Sequence, residues 1–176
     1  LWMLLRLAGL WGCGAAGGRA AAILLTAGLF WHEGGMGRMD ALLCGLQMTA
    51  LYGFFSYERT PQRWRLLLAY TAMGLAILTK GPVGFLVPTG VYIATMVAGG
   101  EKRALARSHW LWGIPLMLAF PVIWLSAAAW EGAPLDYFRE LLFKQNVDRF
   151  TGRDDFGKPG PFWFYAAHFP LGFLPW

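Results

Sequence analysis

Apolar runs that alternate with short polar links govern what this sequence can fold into. Ala20 to Trp31, Met39 to Tyr57, Leu66 to Leu78, Val83 to Ala98 and Trp110 to Trp130 are each dominated by Leu, Ala, Val, Phe and Trp, and Gly, Pro and a few charges separate them. A helix needs about 20 apolar residues to cross a bilayer, where no water can satisfy its backbone N–H and C=O groups. Met39 to Tyr57 and Trp110 to Trp130 are long enough to span. Leu1 to Trp11 is too short and reads as the tail of a helix, whereas Ala20 to Trp31 must borrow flanking residues. Only 14% of the residues are charged and 57% are hydrophobic, against about 25% charged in an ordinary soluble domain. The expected fold is all-α, a polytopic integral membrane helical bundle with about six to seven transmembrane segments. Residues 1–176 are expected to form a single transmembrane domain.

The links carry the orientation. Gly12, Gly14, Gly17 and Gly18 are expected to form a turn that ends at Arg19. The link Glu58 to Arg65 holds Arg59, Arg63 and Arg65 around Pro61, and Gly99 to His109 holds Lys102, Arg103 and Arg107. The links between them hold only Arg38 and Lys80. Short basic loops stay on the cytoplasmic side of a membrane, so Asp40, Lys80 and the long segment after Trp130 are expected to share the opposite, outer face. The net charge of +5 is thereby read as a topology signal rather than a nucleic-acid footprint. Cys13 and Cys44 have no metal-ligand spacing and read as buried free thiols. The chain starts at Leu1 and stops at Trp176 inside apolar runs, which reads as a fragment of a longer protein.

Residues 131–161 are the one long polar segment, expected to be an outer-face loop with an interfacial amphipathic helix. Leu135, Phe138, Leu141, Leu142 and Val147 recur there at roughly helical spacing among Asp136, Arg139, Glu140, Lys144 and Asp148. Two kinks are expected in Trp110 to Trp130, at Pro115 and Pro121.

Lys80 is the first functional candidate. It stands between two apolar runs, and Gly81-Pro82 forces a tight turn directly after it. The competing reading is a topological anchor that snorkels to the headgroups. Asp40 is the sharpest acid, at the start of a spanning helix beside Arg38. A first-turn acid also complements the helix dipole, and Arg38 could pair with it. If functional, Asp40 could orient an acceptor, hold a divalent ion or act as a base. Arg149, Arg153 and Lys158 add positive charge on the same face, with pairing to Asp148, Asp154, Asp155 or headgroups as the alternative. His32, His109 and His168 are dispersed, and His32 beside Glu33 does not define a metal site. No cofactor is assigned. The glycine-rich stretches lack a phosphate-loop Lys-Ser or Lys-Thr, so nucleotide binding has no support.

Four segments, Arg38 to Leu43, Gly74 to Gly84, Asn146 to Phe150 and Gly160 to Tyr165, resemble in that order the bacterial GT-C glycosyltransferases of the aminoarabinose transferase and protein O-mannosyltransferase group. The resemblance covers nearly the whole chain. It implies sugar transfer from a polyprenyl-phosphate donor to a lipid A-like or protein acceptor, at the periplasmic face of the bacterial inner membrane, by a multi-pass enzyme. Asp40 matches a second acidic position of that family, Lys80 a basic position near the donor phosphate, and Asn146 with Arg149 the segment before the aromatic entry. The family's principal catalytic carboxylate lies in a first outer loop that would precede Leu1, and Leu1 to Trp31 contain no Asp or Glu. The 176 residues are therefore expected to be inactive alone. The rival expectations are a transporter or flippase of lipid-linked substrates, and a non-catalytic assembly subunit in which Asp40, Lys80 and Arg149 point apart.

Overall fold

A computed structural model describes residues 1–36 and 39–141. Every element among them is helical: α1 (Trp2–Leu10), α2 (Gly14–Thr26), α3 (Gly28–Gly35), α4 (Met39–Arg59), α5 (Arg63–Lys80), α6 (Val83–Ala98), α7 (Lys102–Arg107), α8 (Trp110–Trp130) and α9 (Leu135–Arg139).

The helices assemble on the pair α4 and α5. Leu43, Ala50, Phe54 and Tyr57 recur seven, four and three residues apart on α4 and are buried, as are Leu66, Ala69, Met73 and Ala76 at spacings of three and four on α5, so each helix turns one stripe inward. Small residues let the backbones approach closely. A Cβ on Gly53 would lie 2.7 Å from the Arg65 carbonyl oxygen and 2.8 Å from Ala69 Cβ. On the other side of α5, a Cβ on Gly113 of α8 would lie 2.0 Å from the Tyr70 ring, and one on Gly74 would lie 2.7 Å from the Met117 carbonyl oxygen. Pro121 has no N–H to offer that carbonyl, so α5 closes over a group that α8 leaves without its helical donor. α1 lies against α4, with Trp11 edge-on to Phe55 at 4.9 Å.

The bundle has two chemically different ends. One carries Arg59, Arg63, Arg65, Lys102, Arg103 and Arg107, and a buried polar network ties four helices together there. Tyr92 Oη of α6 donates to Glu58 Oε1 of α4 at 2.8 Å and lies 2.7 Å from Ser108 Oγ, while Tyr70 Oη of α5 donates to the Ser108 carbonyl at 2.8 Å. Ser108 Oγ also lies 3.0 Å from the Ala104 carbonyl, so with the Tyr92 proton on Glu58 its single proton is shared between that carbonyl and Tyr92 Oη. Arg107 Nη2 donates to Glu58 Oε2 at 3.0 Å from α7. Phe54 stacks on the Tyr92 ring at 4.7 Å and packs edge-on against Tyr70, which shields the network. Tyr92→Phe is expected to lower stability by about 0.5–1.5 kcal/mol, because Glu58 loses one of its two donors and the Ser108 hydroxyl keeps only the Ala104 carbonyl, at 3.0 Å. Heat-induced unfolding followed by circular dichroism in detergent checks this, and an unchanged midpoint would contradict it.

Several boundaries differ from those expected from sequence. The turn from Gly12 to Arg19 shrinks to residues 11–13, and Gly17, Gly18 and Arg19 lie inside α2. The reason is packing: Gly17 is buried, and a Cβ there would meet Ala8 Cβ of α1 at 2.4 Å. The run Ala20 to Trp31 is not one helix, since the extended Ala27 ends α2 and starts α3. Glu58 and Arg59 belong to α4 rather than to a link, and the link Gly99 to His109 contains α7. Helix α8, by contrast, has the expected bounds Trp110–Trp130, with Pro115 and Pro121 inside it. Cys13 and Cys44 are exposed rather than buried. The amphipathic segment begins with α9, of five residues, and its residues 142–161 lie outside the described residues. Among the described residues α8 is the helix long and apolar enough by length and composition to cross a membrane; α6 is apolar but has 16 residues.

Candidate functional site

The other end of the bundle is built around the turn from α5 to α6. Lys80 is the last residue of α5, where a cation complements the negative end of the helix dipole. Gly81 follows with φ 67° and ψ −144°, and its N–H donates to the Ile77 carbonyl at 2.8 Å, capping the helix. A side chain is strongly disfavoured in that backbone region, so the glycine is required. Pro82, with φ −58°, is the N-cap of α6 and starts the returning helix within one residue. Gly84 then lets α6 close on α5, for a Cβ there would lie 2.4 Å from the Ala76 carbonyl carbon. Thr79 Oγ1 donates to the Ala76 carbonyl at 2.7 Å. Together these contacts hold the root of the Lys80 side chain.

Asp40 occupies the first turn of α4, where a carboxylate complements the positive end of the dipole. Its Oδ1 accepts a hydrogen bond from Lys80 Nζ, an ion pair between residues 40 positions apart. Gln47 stands seven residues, or two turns, after Asp40 on the same stripe of α4. Its Nε2 donates to the Val83 carbonyl at 2.9 Å, so α4 grips both sides of the α5–α6 turn. The side chains of Lys80 and Asp40 are 46% and 47% exposed. The pair is thus half-open, and an exposed pair of this kind contributes only about 0–1 kcal/mol to stability. Its ammonium can turn to an incoming anion at little structural cost.

Asp40 and Lys80, the two candidates within the described residues, are brought together. Arg38, Asn146, Arg149, Arg153 and Lys158 lie outside the described residues. Asp40 is paired with Lys80 across the bundle. Sequence reasoning passed over Gln47, although a glutamine two turns from Asp40 in an apolar run was a visible signal. It also read Glu58 as part of a link, and no local pattern marks its partners on α6 and α7. Among the described residues no group of three or more His, Cys, Asp or Glu could hold a metal ion. Two cavities, of about 740 Å³ between α5 and α8 and about 470 Å³ among α1, α2, α4 and α6, lie away from the ion pair.

The chain has recognisable relatives. Residues 5–131 match the family model described as dolichyl-phosphate-mannose-protein mannosyltransferase. The chain is 30% identical over 166 residues, 89% of its length, to undecaprenyl phosphate-alpha-4-amino-4-deoxy-L-arabinose arabinosyl transferase 2 of Proteus mirabilis, covering 28% of that protein. It is 30% identical over 165 residues, 89% of its length and 28% of the relative, to the arabinosyl transferase of the same description from Pectobacterium atrosepticum. With arabinosyl transferase 1 of Pseudomonas fluorescens it shares 26% identity over 174 residues, 95% of its length and 30% of the relative. The chain therefore spans less than a third of the length of these relatives. No solved structure matches it. With a family match that runs from α1 to the end of α8 and so includes Asp40, Gln47 and Lys80, the chain belongs to the dolichyl-phosphate-mannose-protein mannosyltransferase family.

Proposed function

We propose that the chain is part of a membrane glycosyltransferase that moves a sugar from a polyprenyl-phosphate-linked donor to a lipid A-like or protein acceptor at the outer face of the bacterial cytoplasmic membrane. The observation that carries this reading is the half-open Asp40–Lys80 ion pair, at the end of the bundle opposite the arginine-rich links. The names of the relatives support an undecaprenyl-phosphate sugar as the donor class. Exposed apolar side chains support a lipid-facing surface, since Leu111, Ile123 and Trp130 of α8 are 88%, 67% and 92% exposed. In this reading α4, α5, α6 and α8 cross the bilayer, α1 and the broken pair α2–α3 add to the crossings, and residues 131–161 form an outer-face loop. Arg59, Arg63, Arg65, Lys102, Arg103 and Arg107 then face the cytoplasm.

The chemistry follows from charge. As the bond between the sugar carbon and the phosphate oxygen breaks, the leaving phosphate gains negative charge, and a fixed cation lowers that barrier more than it favours the ground state. Lys80 supplies the cation, with Arg149, Arg38, Arg153 and Lys158 as further cationic candidates on the same face and Asn146 as a neutral hydrogen-bonding group beside them. Asp40 holds the Lys80 ammonium in place and organises the donor or acceptor. The acceptor oxygen forms the new bond to the sugar, and its proton passes to a carboxylate outside these residues, so the 176 residues alone are expected not to transfer sugar. Asp40→Asn in the full-length protein is expected to lower kcat/KM about 10-fold to 100-fold, the cost of removing one charge-assisted hydrogen bond. Transfer kinetics with a polyprenyl-phosphate sugar check this. The reading itself is tested in a deletion strain by mass analysis of lipid A, protein glycans and lipid-linked sugars. One acceptor should lose a sugar while a polyprenyl-phosphate sugar accumulates, and unchanged profiles would sink the proposal.

A further inference from the structure

A second feature lies at the arginine-rich end. Between α5 and α8 runs the cavity of about 740 Å³, whose lining includes Arg63, Trp64, Leu67, Tyr70, His109 and Trp112. Its floor is buried, because Tyr70 lies over Gly113 and is tied to the Ser108 carbonyl. Its side opens to the surface along Leu67 and Trp112, which are 55% and 81% exposed. The cleft is therefore apolar along its length and reached from the side, the form a lipid chain fits.

The mouth of the same cleft is electropositive for three independent reasons. Arg63 lines it, and so does His109, whose imidazole N–H can donate. Both α5 and α8 start there, and neither start has an acid in its first turn or a side-chain cap. Gln62, the N-cap of α5, accepts from the Trp64 indole at 2.7 Å with the amide oxygen that could have capped the helix. The Arg65 and Trp112 N–H groups bond the Gln62 and His109 carbonyls at 3.0 Å, but the first N–H groups of each helix have no side-chain cap, and a helix start of this kind favours an anion. His109, the N-cap of α8, takes φ 52° and ψ 45°, the left-handed region that a side-chain-bearing residue occupies only under constraint. Its ring packs edge-on to Tyr57 at 6.3 Å, so this unusual backbone keeps the imidazole at the mouth.

We infer that the α5–α8 cleft binds an anionic glycerophospholipid of the cytoplasmic leaflet. Its phosphate sits between Arg63, His109 and the two uncapped helix starts, and one acyl chain lies along Leu67 and Tyr70. Basic pockets between helices on the cytoplasmic side of a membrane suit such headgroups, and Trp64 and Trp112 stand where interfacial aromatics belong. The inference rests on the bilayer-spanning arrangement proposed above but not on sugar transfer, since the cleft is at the far end from Lys80.

The test uses the full-length protein in detergent and native mass spectrometry, with phosphatidylglycerol and phosphatidylcholine carrying identical acyl chains. Wild type should retain phosphatidylglycerol in preference to phosphatidylcholine. Arg63→Gln should weaken phosphatidylglycerol binding about fivefold, the effect of one arginine near a headgroup, and Leu67→Trp, which fills the cleft, should abolish it. Arg103→Gln, exposed on α7, and Lys80→Ala at the opposite end should leave it unchanged. Equal retention of the two lipids, an equal loss in Arg63→Gln and Arg103→Gln, or no effect of Leu67→Trp would overturn the assignment. Competition by glycerophosphoglycerol without chains would show a free-anion site, and displacement at equal concentration by undecaprenyl phosphate would show a polyprenyl site; either result also overturns it. Retention of no lipid at all would overturn it as well. Failure of these measurements with sugar transfer intact would leave the glycosyltransferase reading standing, and the converse result would leave the lipid site standing.

Discussion

Lys80→Ala in the full-length protein is expected to lower sugar transfer about 100-fold to 1,000-fold, the range found when one preorganised donor to a developing negative charge is removed. The unfolding midpoint is expected to stay close to that of wild type, because the Asp40–Lys80 pair is half-exposed and contributes only about 0–1 kcal/mol to stability. That separation is the discriminating point. A snorkelling anchor would move insertion or stability and leave turnover of the folded enzyme alone, whereas a phosphate ligand would do the reverse. Lys80→Arg keeps the charge but presents a planar fork on a different stem, so partial recovery is expected. Asp40→Asn combined with Lys80→Ala adds a coupling measurement. If Asp40 acts mainly by holding the ammonium, its substitution should have little further effect once Lys80 is gone. Full turnover by Lys80→Ala would remove Lys80 from the mechanism.

How much of this site can be read from sequence is clearest at the α5–α6 turn. Gly-Pro after a lone lysine specifies a sharp reversal, and the structure has it with Gly81 at positive φ and α6 starting at Val83. Charge counting also placed Asp40 and Lys80 at one end, because both belong to links poor in Lys and Arg. Their contact is a different matter, for it depends on the register of α4 against α5, which Gly53 and Ala69 set by close approach. The glycine-rich stretch shows the opposite failure. Gly14, Gly17 and Gly18 lower helix propensity and suggest a turn, yet α2 forms there because Gly17 packs against Ala8 of α1. Glu58 behaves similarly. A glutamate after an apolar run reads as the start of a link, but Tyr92 and Arg107, 34 and 49 positions away, give it partners inside the bundle. In each case tertiary packing overrides a local preference. The expectations for Asn146, Arg149, Arg153 and Lys158 lie outside the described residues.

Gly84→Ala should behave unlike Lys80→Ala, by lowering stability and transfer together. A Cβ at Gly84 would lie 2.4 Å from the Ala76 carbonyl carbon, 2.5 Å from its oxygen and 2.6 Å from the Ile77 nitrogen. All three neighbours are backbone atoms, so no side chain can rotate away and the two helices must separate. Overpacking of this kind costs about 1–3 kcal/mol. The strain falls one turn from Lys80, and moving α6 also pulls on the Val83 carbonyl that Gln47 holds. Transfer is therefore expected to fall with the unfolding midpoint. Gly90→Ala supplies the control on the same helix, since a Cβ there meets nothing within 4 Å and alanine is the better helix former by about 1 kcal/mol. Its midpoint should equal or exceed that of wild type, with transfer unchanged. If Gly84→Ala matched Gly90→Ala in both measurements, α5 and α6 would not need this close approach, and the placement of Lys80 would have to come from the Gly81–Pro82 turn and the Asp40 contact alone.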